Sequence, residues 1–136
     1  MSEPQPGTVY LVGAGPGDPG LLTLRGRDLL RTVDIVLPDS LVSEEVLALI
    51  DGPAVIPVGK RYGSKSNSQG EINELLVHLA RDGKRLCRLK GGDPMVFGRV
   101  GEEMRALVDA GIPYAVVPGI SSATAAPAYA GIPLTM

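Results

Sequence analysis

Several residue types are scarce in this chain of 136 residues, and each scarcity removes a class of function. One cysteine, Cys87, excludes an internal disulfide framework and a Cys-rich zinc site. One histidine, His78, leaves no set for a His-based metal centre or a Ser-His-Asp triad, so no metal site is expected. Aromatic residues make up only 4%, with no tryptophan and a single phenylalanine, Phe97. No apolar run approaches the ~20 residues of a membrane span. The polar, Pro-rich segment from Met1 to Gly7 lacks the basic flank and apolar stretch of a signal peptide. Neither charge sign dominates: the formal net charge is -2, which offers no field for nucleic acid or an anionic membrane. A cytoplasmic protein with neither nucleic-acid nor membrane partners is the expectation.

What the chain does have is glycine and proline, 18 and 12 residues, gathered between apolar runs. Short strand-like runs, Val9–Val12, Val33–Leu37, Ala54–Val58, Arg85–Leu89 and Tyr114–Val117, alternate with segments of helical period. A helix is expected from about Leu21 or Thr23 to Arg31, and Ser43 is placed to cap another from Glu44 to Ile50. Ser68 and Glu71 have the spacing of a capping box ahead of Ile72, Leu75, Leu76 and Leu79. Val100, Met104, Leu107 and Val108 form the next apolar stripe, and Pro127 should kink or end a last helix begun near Ser121. Residues 1–7 are read as a flexible N-terminus and 8–136 as one domain. Five strand–helix units predict an α/β fold, with a mostly parallel five-stranded sheet flanked by helices. In such sheets ligands bind outside the carboxyl ends of the strands.

The five loops at that edge carry the candidate chemistry. Gly15-Pro16-Gly17-Asp18-Pro19-Gly20 matches G-x-G-x-x-G, yet two prolines each remove an N–H that a pyrophosphate would need. A nicotinamide site, a purely structural turn and a rigid loop shaped around a phosphate-free ligand all remain open for it. Gly91-Gly92-Asp93-Pro94 lets backbone approach a ligand beside a carboxylate, which suits a cation better than a phosphate. Phe97 reads as a packing residue rather than a stacking platform. Ser121 and Ser122 either cap a helix or touch a ligand. Lys60, Arg61 and Lys65 are either a solvated face or an anchor for carboxylates. Asp39 is either a general base or the cap of its own turn. Cys87 reads as a small buried hydrophobe and His78 as solvent-facing.

These blocks stand in a recognisable order. Val9 to Pro19, Gly59-Lys60-Arg61, Gln69 with Glu71-Ile72-Asn73, Arg88 to Pro94, Val117-Pro118-Gly119-Ile120 and Ala130 to Thr135 cover nearly the whole chain. The chain resembles the uroporphyrinogen-III C-methyltransferases of the tetrapyrrole methyltransferase family. The resemblance implies the N-terminal domain of that fold. It also implies methyl transfer from S-adenosylmethionine to uroporphyrinogen III, giving precorrin-2 on the route to sirohaem and cobalamin. By matched motif, Pro16, Gly91, Gly92, Asp93, Val96, Ser121 and Ser122 would contact the cofactor. Asp39 would accept a proton, and Lys60 would donate one or anchor a carboxylate. Arg61 and Lys65 would bind substrate, and a homodimer is expected. A related corrin-precursor methyltransferase, or a half that only pairs, is the alternative. The chain departs from the family pattern at Pro38, where tyrosine is usual, and at Met95, where a second aromatic is common. The family continues past the position of Met136 with a second α/β domain, so weak or no activity is expected of these residues alone.

Overall fold

The computed structural model describes residues 3–59 and 67–136. Five strands, β1 (Val9–Gly13), β2 (Ile35–Pro38), β3 (Ala54–Val55), β4 (Leu86–Lys90) and β5 (Tyr114–Val117), form one sheet in the order β3-β2-β4-β1-β5. Every pairing is parallel, from Val9 against Leu86 to Ile35 against Ala54. Helices α1 (Leu24–Thr32), α2 (Glu44–Leu47), α3 (Gln69–Arg81), α4 (Val100–Asp109) and α5 (Ser122–Tyr129) supply the connections, as parallel strands require.

Strand alternation divides the core between the two faces. Val9, Leu11, Ile35, Leu37 and Leu86 pack with Ile72 and Leu76 of α3 and with Val100 and Leu107 of α4. Val12, Val36, Cys87 and Leu89 meet Leu29 and Leu30 of α1 and Val46 of α2 on the other side. Each fully buried leucine contributes about 1.5–3 kcal/mol of apolar transfer. The chain leaves β1 over one face and β4 over the other. These neighbouring strands therefore part company at their carboxyl ends and open a crevice there.

Local signals set most boundaries. Ser68 accepts from the Glu71 N–H while the Glu71 side chain returns to the Ser68 N–H, completing the capping box. Thr23 and Ser43 cap α1 and α2 by accepting from the Gly26 and Val46 N–H groups. Several details differ from expectation. Pro38 ends β2 from within, since its missing N–H costs the ladder nothing at a strand's last residue. The third strand shortens at Pro57, although the Ile56 and Val58 N–H groups still donate to Val36 and Pro38 carbonyls. Helix α5 runs past Pro127 to Tyr129, and Val108 is exposed rather than part of the buried stripe. Residues 4–7 are tied to the domain: Gly7 N–H donates to Lys84, Gln5 N–H donates to the Tyr10 hydroxyl, and Pro4 is buried.

Candidate functional site

Four of the five strand-end loops converge on the crevice, and main chain holds them together. The loop after β1 and the loop after β4 exchange two hydrogen bonds, Gly15 N–H to Gly92 O at 3.1 Å and Gly92 N–H to Gly15 O at 2.8 Å. The loop after β5 closes on both. A Cβ on Gly119 would lie 2.3 Å from Gly92 O and 2.8 Å from Gly13 Cα, so only glycine permits this approach. Asp93 then links the two outer loops, its Oδ2 accepting from Gly119 N–H at 3.0 Å and its Oδ1 from Met95 N–H at 2.8 Å. The loop after β2 leans in through Leu41, whose Cβ would sit 3.0 Å from a Cβ on Gly91.

The first loop cannot serve as a phosphate cradle. Ala14, Gly15, Gly20, Leu21 and Leu22 already spend their N–H groups on Lys90, Gly92, Asp18 and Pro19. Pro16 and Pro19 have none, which leaves Gly17 and Asp18 as the turn's remaining donors. Pyrophosphate binding at a helix start needs a converging set of such donors, so the nicotinamide reading loses its footing. The charged residues of the loops after β1, β2, β4 and β5 are Asp18, Asp39, Asp93 and Arg99. Three carboxylates against one guanidinium, itself paired with Glu102, favour a cationic ligand.

Asp39 is partly buried at the end of β2, its N–H donating to Leu89 O at 3.0 Å. One carboxylate oxygen, Oδ1, caps the Leu41 N–H at 2.9 Å. Among the described residues no hydrogen bond reaches its Oδ2, so the cap engages only one of the two carboxylate oxygens. Ser121 Oγ accepts from Ala123 N–H as the cap of α5, and Ser122 is exposed. Ser121 Cα also lies 3.7 Å from a Cβ on Gly92, which brings the start of α5 to the crevice. Pro16 and Val96 are exposed at the rim. Lys60, Arg61 and Lys65 lie outside the described residues; the chain enters their loop at Gly59, packed beside Ser40.

Phe97 departs from its packing assignment. It is 93% exposed, with φ at +59°, and Gly98 and Arg99 follow at +72° and +56°. Three successive left-handed residues swing the chain sharply into α4, and the Phe97 ring is carried outward.

Beneath this turn lies a buried charge cluster that the sequence reading missed. Glu103 of α4 is fully buried and accepts from Arg88 Nε at 2.8 Å and Lys90 Nζ at 3.0 Å. Arg88 also donates to Leu37 O at 3.1 Å, and Lys90 to Gly98 O at 2.7 Å. Gln69 reaches the same carboxylate from the start of α3. Burial lowers the Lys90 ammonium pKa, and the Glu103 and Asp39 charges oppose that shift. The signal was present: Glu103 occupies the apolar face with Val100 and Leu107, and Arg88 and Lys90 alternate with Leu89 in a central strand.

Comparison with known proteins assigns the family. Residues 8–136 match the Tetrapyrrole (Corrin/Porphyrin) Methylases. Siroheme synthase 1 of Yersinia enterocolitica is 60% identical over 130 residues, 95% of this chain but 28% of that protein. The crystal structure of uroporphyrin-III-C-methyltransferase from Thermus thermophilus superposes with a TM-score of 0.84 at 50% identity, covering 95% of this chain and 55% of that one. A second crystal structure of the Thermus thermophilus enzyme, complexed with S-adenyl homocysteine, gives 0.80 at 52% identity over 95% of this chain and 53% of that one. The chain thus spans just over a quarter of the curated relatives' length and about half that of the solved structures. With the parallel sheet, the glycine-tight junction and the matched span in agreement, the chain belongs to the tetrapyrrole (corrin/porphyrin) methylases.

Proposed function

We propose that this chain forms the strand-edge half of an S-adenosylmethionine-dependent methyltransferase that acts on uroporphyrinogen III to give precorrin-2. The observation that carries the reading is the crevice itself: main chain and carboxylates line it, and its first loop has almost no N–H left for phosphate. A donor with a sulfonium and an ammonium, and without phosphate, fits that lining. In this reading Pro16, Gly91, Gly92, Asp93, Val96, Ser121 and Ser122 hold it. Asp93 lies at the crevice, and its two oxygens fix the two loops that form the wall. When bound, the donor supplies an electrophilic methyl group. The chain's own contribution is alignment of two reactants, which can supply about 7–11 kcal/mol of a barrier.

Asp39 takes the proton that the ring system releases, through Oδ2, the oxygen that does not cap Leu41. Lys60 donates a proton or holds a carboxylate, and Arg61 and Lys65 hold acceptor carboxylates. The relative solved with S-adenyl homocysteine supports the choice of donor, and the siroheme synthases support the route to sirohaem. The corrin-precursor route rests on a cobalt precorrin-4 methyltransferase, 36% identical with a TM-score of 0.82. Soluble, polycarboxylate reactants place the work in the cytoplasm. Exposed Tyr129, Ile132 and Leu134 fit a homodimer, which sedimentation analysis tests.

Calorimetric titration of the full-length protein with S-adenosylhomocysteine checks the proposal, and absence of heat at high ligand concentration overturns it. Asp39→Ala should abolish turnover while leaving that binding intact. Unchanged turnover removes Asp39 from the mechanism.

A further inference from the structure

The loop after β4 is held at two separate points. Its first half, Gly91 to Met95, is fixed by the paired Gly15 and Gly92 hydrogen bonds and by Asp93. Its second half, Phe97 to Arg99, receives none of these. Two of its three left-handed residues are not glycine, and each such position costs of order 1–3 kcal/mol unless its surroundings enforce it. The interior grip on this half is the hydrogen bond from Lys90 Nζ to Gly98 O at 2.7 Å.

Charge balance gives the same residue prominence. Glu103 is already paired with Arg88, so Lys90 is a second buried cation on that carboxylate, supported further by the Asp39 charge. Burying it still costs desolvation, which its hydrogen bonds to Glu103 and to Gly98 O offset. What it holds is a turn that presents an exposed aromatic ring and, two residues on, a guanidinium. The pairing of Arg99 with Glu102 is a surface one, weak enough to yield to another carboxylate. An exposed apolar ring and a cation two residues apart match a macrocycle of pyrrole rings rimmed with carboxylates.

We infer that Lys90 is a positioning residue, which sets the Phe97–Gly98–Arg99 turn for the methyl acceptor without contributing to the donor site. The inference rests on the proposed methyltransferase function. Lys90→Met leaves Glu103 paired with Arg88, so the variant should fold. Gly98→Ala is the second variant: it keeps the buried cluster but places a Cβ 3.2 Å from Lys90 Cε in a left-handed residue.

In the full-length protein, Lys90→Met and Gly98→Ala should each lower kcat/KM for uroporphyrinogen III by about 10–100-fold, the scale of a misplacement near 1 Å. S-adenosylhomocysteine affinity should stay within about twofold, and Lys90→Arg should recover part of the loss. Hydrogen exchange at the Phe97–Arg99 amides should quicken in Lys90→Met while Gly92 and Met95 stay protected. Unchanged kcat/KM, donor affinity falling in parallel, or exchange quickening along the whole loop overturns the inference. If the unaltered protein neither binds the donor product nor turns over, the proposed function falls instead, and the exchange pattern still decides whether Lys90 holds the turn.

Discussion

Gly119→Ala tests the junction at the base of the crevice most directly. The added methyl would stand 2.3 Å from Gly92 O, 2.8 Å from Gly13 Cα and 2.9 Å from Gly13 C. Ordinary separations are about 3.5 Å, so the loops must part by roughly 1 Å. All three neighbours are main chain, and no rotamer change relieves the clash. Overpacking costs about 1–3 kcal/mol, and the upper end applies where backbone has to move. Opening the junction also stretches the charge-assisted bond from Gly119 N–H to Asp93, worth about 1.5–3 kcal/mol. The combined loss is about 4.5–6 kcal/mol. With a urea slope near 2 kcal/mol per molar, the midpoint should fall by about 2–3 M. Donor-product binding, read by calorimetry, should be lost with it. Gly101→Ala is the control: no atom lies within 4 Å of its Cβ in α4, and it should be neutral or stabilise by up to about 0.5 kcal/mol. A Gly119→Ala protein with native midpoint and native donor affinity would refute the argument that this contact shapes the site.

Glu103→Gln should destabilise by about 3–5 kcal/mol, because two buried cations lose the carboxylate that pairs with both. Lys90→Met should cost clearly less, since the Arg88 pair survives; equal losses in urea unfolding would count against the cluster's assigned balance. The Arg85 guanidinium and N–H hold Asp34 down to about 2 from its ordinary 3.8. Because the folded value is depressed, this stability is present above pH 3.8 and fades as pH falls towards 2. Partial exposure of both side chains keeps the effect small. The stability gap between the native protein and Asp34→Asn should therefore close across that window; a gap constant with pH refutes the assignment. Burial pushes the Cys87 thiol up to about 12, so it should react with a thiol reagent at pH 8 only as fast as the domain unfolds.

The sequence carried most of the architecture because its signals were local. The Ser68–Glu71 box, the strand runs around Leu11, Ile35 and Leu89, and the glycines at loop starts each act within a few residues. The candidate site was legible where the chemistry was a matter of residue type, as in the prolines that disarm the first loop. It was illegible where function depends on what two distant segments do together. Asp93 looked like a ligand contact, but the structure shows both its oxygens engaged with backbone N–H groups 2 and 26 positions away. Glu103 drew no reading from the sequence, and its role shows only where Arg88 and Lys90 of β4 meet it on one face of the sheet. Phe97 looked like core because exposed aromatics are uncommon, and its left-handed backbone could not be read from its neighbours.

The glycine junction has a bearing on redesign. A floor built from bare backbone offers no side chain through which selection could tune ligand preference. Altered preference has to be written on the rim, at Leu41, Met95 and Val96, whose side chains can change without moving the main chain below them. Libraries confined to those three positions should yield altered specificity at little cost in folding, whereas libraries that reach down to Gly13, Gly92 or Gly119 should return mostly destabilised protein.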